Sequence, residues 1–165
     1  MEFGGRYHFS APRTTVWAAL NDTQKLQAAI PGCRRLDWTG RDTLELEIEV
    51  RLGLIRPVFT GELRLADIVP AERYTLSGRG RGMLGMAEGA AQIVLADAGE
   101  GTEMLFTAVG GADNAVMKLG KALIGKSAQR IIDHFFETFG ETFGAKVIAL
   151  PPDAQSLSRT SGGSS

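Results

Sequence analysis

The sequence predicts an α+β fold in which a curved antiparallel sheet of about seven strands wraps one long C-terminal helix, with two short helices after the first strand. Three observations predict it. A period-two stretch with regular turn signals runs from Arg34 to about Gly111, a helical period follows it, and two short capped helical stretches precede it.

Taken in order, residues 3–10 (FGGRYHFS) form an opening strand, and Ser10 and Pro12 supply an N-cap and an early-helix proline for a helix around 12–20. Val16, Trp17 and Leu20 make its buried stripe. Asp22 or Thr23 caps a second helix carrying Leu26, Ala29 and Ile30, which Pro31-Gly32 stops. The meander then turns at Gly40-Arg41-Asp42, Gly53 to Pro57, Pro70-Ala71-Glu72, Gly82 to Gly85 and Asp97 to Gly101. Its clearest strand is 43–52, where Leu44, Leu46, Ile48, Val50 and Leu52 alternate with Thr43, Glu45, Glu47, Glu49 and Arg51.

Beyond Gly111, apolar residues from Val116 to Phe143 recur at spacings of mostly three and four, predicting a helix over about 113–148. Such a helix would run ~50 Å, enough to cross a whole sheet. Pro151 to Ser165 holds one large apolar residue, Leu157. The expected organisation is therefore one domain over 1–148 and a flexible polar tail over 149–165.

A chain of 165 residues fits a single core. Eighteen basic against nineteen acidic side chains leave a net charge of −1, so no bulk field attracts nucleic acid. One cysteine, Cys33, allows no internal disulfide, and neither a signal-like N-terminus nor ~20 consecutive apolar residues are present. These features predict a cytoplasmic protein whose membrane contact, if it makes one, is peripheral at the inner face.

Tyr74 and Leu76 set an inward face that continues through Gly78, Gly80 and Gly82, and the following strand adds Gly85, Ala87, Gly89 and Ala91 or Ala90. Glycine inside a strand weakens it unless a bend or a closely approaching body needs the room. The series therefore reads either as a bend around the helix or as the floor of an elongated apolar pocket, and the two are compatible. The expected lining is Trp17, Leu26 and Ile30 from the short helices. The strands add Leu46, Ile48, Val50, Phe59, Leu63, Tyr74, Leu76, Gly78, Gly80 and Phe106, and the last helix adds Val116, Leu119, Leu123, Phe135 and Phe139.

Other candidates point away from catalysis. His8 and His134 have no metal-type partners nearby, so no metal site is expected. Cys33 has no base close in sequence and reads as a small buried hydrophobe. The glycine series connects strand to strand without the lysine and hydroxyl of a phosphate loop, which rejects nucleotide binding. Glu45, Glu47 and Glu49 share a solvated face. Arg79, Arg81, Glu88 and Gln92 alternate outward from the presumed pocket, so no catalytic residue is assigned. The lysines and arginine of the last helix, Lys118, Lys121, Lys126, Arg130 and Lys146, lie on or beside its polar side.

Four segments carry a resemblance: FSAPRTTVWAALNDTQKLQAAIPGCRRL, VFTGELRLADIVPAERYTLSGRGRG, GTEMLFTAVGG and MKLGKALIGKSAQRIIDHFFETF. Together they resemble the CoxG family of carbon monoxide dehydrogenase subunits over about residues 1–146, most strongly at Trp17, Asp22, Ile30, Pro31, Gly32, Cys33, Gly61, Tyr74, Phe135 and Phe136. The resemblance implies the START-like, helix-grip fold of the SRPBCC superfamily, a curved sheet gripping a helix around a lipophilic cavity. It also implies an accessory role beside a molybdenum hydroxylase, in maturation, membrane recruitment or electron hand-off. It supplies no catalytic set, and no cofactor beyond a bound quinone or lipid is expected. Two other readings are an enzyme, since related folds include cyclases and hydrolases, and a pure docking factor without ligand.

Overall fold

The computed structural model describes residues 2–51, 54–83, 85–112 and 128–151. The elements are β1 (Glu2–Phe9), α1 (Arg13–Leu20), α2 (Thr23–Ala29), β2 (Cys33–Trp38), β3 (Thr43–Glu49), β4 (Val58–Val69), β5 (Arg73–Gly82), β6 (Gly85–Ala98), β7 (Gly101–Ala112), α3 (Ala128–Glu141) and β8 (Val147–Leu150). The strands form one sheet in the order β2-β3-β4-β5-β6-β7-β1-β8, antiparallel at every pairing. The fold is the expected α+β class, with β2 to β7 as the six-strand meander and an eighth strand added.

That strand corrects the single helix over 113–148. Residues 113–127 lie outside the described residues, and the described helix ends at Glu141. Gly144 takes φ of 73°, the left-handed conformation that glycine adopts without a Cβ clash. The Ala145 N–H donates to the Gly140 carbonyl at 2.9 Å and the Gly144 N–H to the Glu141 carbonyl at 3.3 Å. This pair of bonds is the Schellman ending. The reversal sends Val147–Leu150 back along β1, where Phe9 faces Val147 and Arg6 faces Leu150. Ala149 and Leu150 therefore belong to the sheet and not to a tail.

Asp22, of the two expected caps, starts α2: its carboxylate accepts from the Gln24 and Lys25 N–H groups at 3.0 and 3.3 Å. The Lys25 ammonium, first among the causes, holds that carboxyl below its ordinary range. Ser10 does not cap α1. Pro12 occupies the N-cap position without a side-chain bond, and the Ser10 hydroxyl instead accepts from the Lys146 N–H at 2.7 Å, tying β1 to the chain entering β8. After α2, Gly32 sits at φ of 74°, where any Cβ would collide with the Glu49 carbonyl.

The core occupies one end of the sheet. Phe9, Val16, Met104 and Phe139 are completely buried there, with Tyr7, Leu20, Leu36, Leu44, Tyr74, Ile93, Leu95 and Phe136 around them. Rings interlock through Phe9 and Phe136, Phe9 and Phe139, and Trp17 and Tyr74, each edge to face at 5.5–6.5 Å. Trp17 is half-buried, so the stripe of α1 is carried by Val16, Ala19 and Leu20.

Candidate apolar cavity

Strand register decides what the other end of the sheet presents. Along β3 and β4, Leu46 faces Gly61, Ile48 faces Phe59 and Leu44 faces Leu63. Across β5, Leu63 meets Gly78, Gly61 meets Gly80 and Phe59 meets Gly82. The same rows continue as Gly80 to Ala87, Gly78 to Gly89 and Leu76 to Ala91, then as Gly89 to Gly110 and Ala91 to Ala108. Side chains of one row share a face because the period is two. Ala91 therefore points inward, and Ala90, paired with Ser77, does not.

These rows line an open-sided cavity of about 510 Å³ bordered, among the described residues, by Leu46, Ile48, Val50, Phe59, Leu63 and Leu76, with Gly61, Gly78, Gly80, Ala87, Gly89, Ala91 and Ala108 supplying little bulk. Thr60, Arg79, Glu88, Ala90 and Val109, whose positions alternate to the opposite face, also border it. The two readings of the glycines hold together. A Cβ at Gly89 would come within 2.9 Å of the Val109 carbonyl, so that glycine lets the strands curve closely. A Cβ at Gly80 would lie 3.4 Å from the Thr60 carbonyl, an ordinary contact, so at that position the missing side chain leaves room.

Eight of the expected residues line this cavity: Leu46, Ile48, Val50, Phe59, Leu63, Leu76, Gly78 and Gly80. Seven sit in or against the packed core: Trp17, Leu26, Ile30, Tyr74, Phe106, Phe135 and Phe139. There Phe106 packs on Phe136 at 5.4 Å, and Phe135 stacks on Phe139 at 6.2 Å. Val116, Leu119 and Leu123 lie outside the described residues. Alternation identifies the inward face but not which end of it is filled, so core and cavity residues carry the same signal. Gly61 and Ala108 went unassigned because their inward direction follows only from the cross-strand register.

The opposite face is polar. A depression of about 1010 Å³ backs onto the same glycines and is bordered by Arg35, Glu45, Glu62, Arg64, Arg79 and Arg81. Arg64 pairs with Glu62 at 3.4 Å and Arg35 with Glu45 at 3.7 Å, while Arg34 lies 3.8 and 3.9 Å from Glu47 and Glu49. Mixed, largely exposed charges of this kind contribute little individually. The apolar cavity differs from it in that the inward side chains of the described residues carry no charge.

Among the described residues, two tyrosines and the cysteine are the perturbed titratable groups of the inward face and its rim. The Tyr7 hydroxyl donates to Asp133 Oδ1 at 2.7 Å, and Gln129 Nε2 donates to both groups at 3.2 and 2.9 Å. Burial, then the Asp133 contact, pushes the Tyr7 phenol well above its ordinary range, and burial alone does the same to Tyr74. The half-buried Cys33 thiol is also pushed up by burial and donates to the Arg35 carbonyl at 3.4 Å. Such a thiol is a poor nucleophile near neutrality.

Among known proteins, the family model for the CoxG subunit of carbon monoxide dehydrogenase matches residues 5–144. A conserved protein from Geobacillus kaustophilus is 21% identical with a TM-score of 0.76, over 89% of this chain and 99% of its own. A Chromobacterium violaceum protein is 18% identical with a TM-score of 0.66, over 86% and 95% of the two chains. A Rhizobium leguminosarum protein gives 18% and 0.64 over the same shares. These likenesses establish the fold. The comparison with curated proteins gives no match.

Proposed function

The chain belongs to the CoxG family of carbon monoxide dehydrogenase subunits, and from that premise we propose a non-catalytic accessory protein that holds a lipophilic small molecule in the cavity beneath β3 to β7. Family membership points to an accessory role for carbon monoxide dehydrogenase. The finer reading is that the loaded protein assists a molybdenum-containing hydroxylase by recruitment, maturation or electron hand-off.

One observation carries the ligand reading: the two ends of a single inward face differ. One end is filled by interlocking rings, whereas the other borders an open-sided space of about 510 Å³ with six large apolar side chains over glycine and alanine. An open-sided apolar space of this size leaves hydrocarbon side chains uncovered, and a guest that covers them gains the burial. Its volume lies within the ~300–1,000 Å³ usual for small-molecule sites. Apolar walls select by shape and hydrophobicity, which suits an isoprenoid quinone or a lipid chain. The inward lining side chains of the described residues are hydrocarbon, so holding is the chemistry they support.

Native mass spectrometry of the gently purified protein tests the cargo. A retained lipophilic mass is expected, and an empty protein that also ignores added quinones and lipids overturns the reading. Crosslinking in cells that express the enzyme tests the partner: the hydroxylase should be captured, and its absence counts against the accessory role.

A further inference from the structure

The inward face changes character between two rows of the sheet. Leu76, Ala91 and Ala108 form one row across β5, β6 and β7, and all three line the cavity. The next row toward the core is Tyr74, Ile93, Phe106 and Gly5. Gly5, paired with Phe106, is the diagonal neighbour of Ala108, about 7–8 Å away. A Cβ at Gly5 would meet the Tyr7 hydroxyl at 2.7 Å and the Tyr7 ring at 2.9 Å. Tyr7 therefore leans out of its own row, that of Met104 and Leu95, and carries its hydroxyl over Gly5, one diagonal step from the cavity wall.

The helix above changes at the same place. Phe139 and Phe136 of α3 are buried in the core, with Phe136 against the Tyr7 ring at 4.5 Å, and toward the start of the helix the residues that meet β1 become Asp133 and Gln129. Asp133 Oδ1 accepts from the Tyr7 hydroxyl at 2.7 Å and from Gln129 Nε2 at 2.9 Å. Burial, then the Asp133 contact, holds the Tyr7 phenol well above its ordinary range, so its proton stays in place and the carboxylate remains the acceptor. These bonds leave Asp133 Oδ2 and Gln129 Oε1 without a hydrogen-bond or ion-pair partner among the described residues, and Asp133 is half-buried. Fastening the helix needs Oδ1 alone. The two spare oxygens can only accept, so they suit a donor, and a carboxylate with no described cation beside it repels an anion brought within a few ångströms.

We infer that Tyr7, Asp133 and Gln129 form the polar end of the ligand site and select an uncharged guest whose terminus donates a hydrogen bond, a long-chain alcohol or phenol, over one that ends in a carboxylate. The inference rests on the cavity reading for the guest's apolar part and adds the chemistry of its head. With its chain along the row of Leu76, Ala91 and Ala108, such a guest brings its hydroxyl to the next row, where Asp133 accepts it. A fatty acid in the same pose sets a second negative charge against Asp133.

Displacement of an apolar fluorescent probe from the full chain by 1-dodecanol and by dodecanoate, matched in chain length and kept below micelle formation at neutral pH, tests it. The alcohol should compete roughly tenfold better or more. Desolvation of a carboxylate also favours the alcohol, so two variants decide. Asp133→Asn keeps an acceptor for the Tyr7 hydroxyl and removes the charge; it should strengthen dodecanoate roughly tenfold and leave dodecanol nearly unchanged. Gln129→Lys, at an exposed helix position, places an ammonium one turn from Asp133 and should shift the ratio the same way, which keeps the test open if Asp133→Asn lowers the Tm. The same alcohol-to-acid ratio in all three proteins, or variants that weaken both competitors alike, overturns the polar end and leaves the cavity reading standing. A probe that none of the three proteins binds overturns both.

Discussion

The Tyr7 hydroxyl donates a 2.7 Å hydrogen bond to Asp133 Oδ1 and so fastens the inward face of β1 to α3. Tyr7 is 1% exposed, and its ring packs on Phe136 with centroids 4.5 Å apart. Tyr7→Phe should keep the ring contact and lose the bond to a charged acceptor, at a cost of about 1–3 kcal/mol. For a chain of this size the Tm should fall by about 2–4 °C per kcal/mol. An unchanged melting curve would show that the bond does not secure the helix.

Alkaline pH should act through both tyrosines of the sequence. Burial first, with Asp133 added for Tyr7, raises both phenols above the ordinary 10.0. Stability held in this way is fully present below the unfolded value and is lost as pH rises through the folded one. Ultraviolet titration should find little tyrosinate in the native protein near pH 10, with ionisation appearing together with unfolding. A reversible titration at the ordinary value with the fold intact would contradict this.

Gly144→Ala should destabilise the protein by about 1–2 kcal/mol, because a Cβ is forced into the left-handed region at the end of α3. Urea unfolding measures it. An equally stable variant would mean that the Schellman ending does not set the reversal into β8.

Cys33 should alkylate more slowly than a free thiol at neutral pH and gain reactivity as the pH rises, since burial disfavours the thiolate. Timed iodoacetamide labelling with mass detection decides it. Rapid labelling at neutral pH would reopen a nucleophilic role.

The sheet was legible because alternation survives wherever one face is wet: Leu44, Leu46 and Ile48 against Glu45, Glu47 and Glu49 gave β3 its face directly. The helix expected over 113–148 runs too far because Phe143 keeps the four-residue spacing from Phe139 past the true end at Glu141. The contrary signal was Gly144, whose left-handed geometry ended α3 before that spacing ran out. The cavity was legible in part. Gly78 and Gly80 announced missing bulk, but Phe135, Phe139 and Tyr74 looked equally inward and proved to fill the core. Which inward rows stay open depends on where the helices lie along the sheet, and local periodicity holds no information about that.

Central to the proposed function is the space above Gly80, which we propose holds the guest. Fluorescence titration with an apolar probe, competed by quinone and by fatty acid, should be compared between the wild type and Gly80→Leu. The Cβ of that variant has ordinary room beside Thr60, and the rest of its side chain enters the cavity. Saturable binding by the wild type, weakened at least tenfold in a variant of unchanged Tm, is the predicted result. Equal binding by both proteins, or none by either, would contradict it.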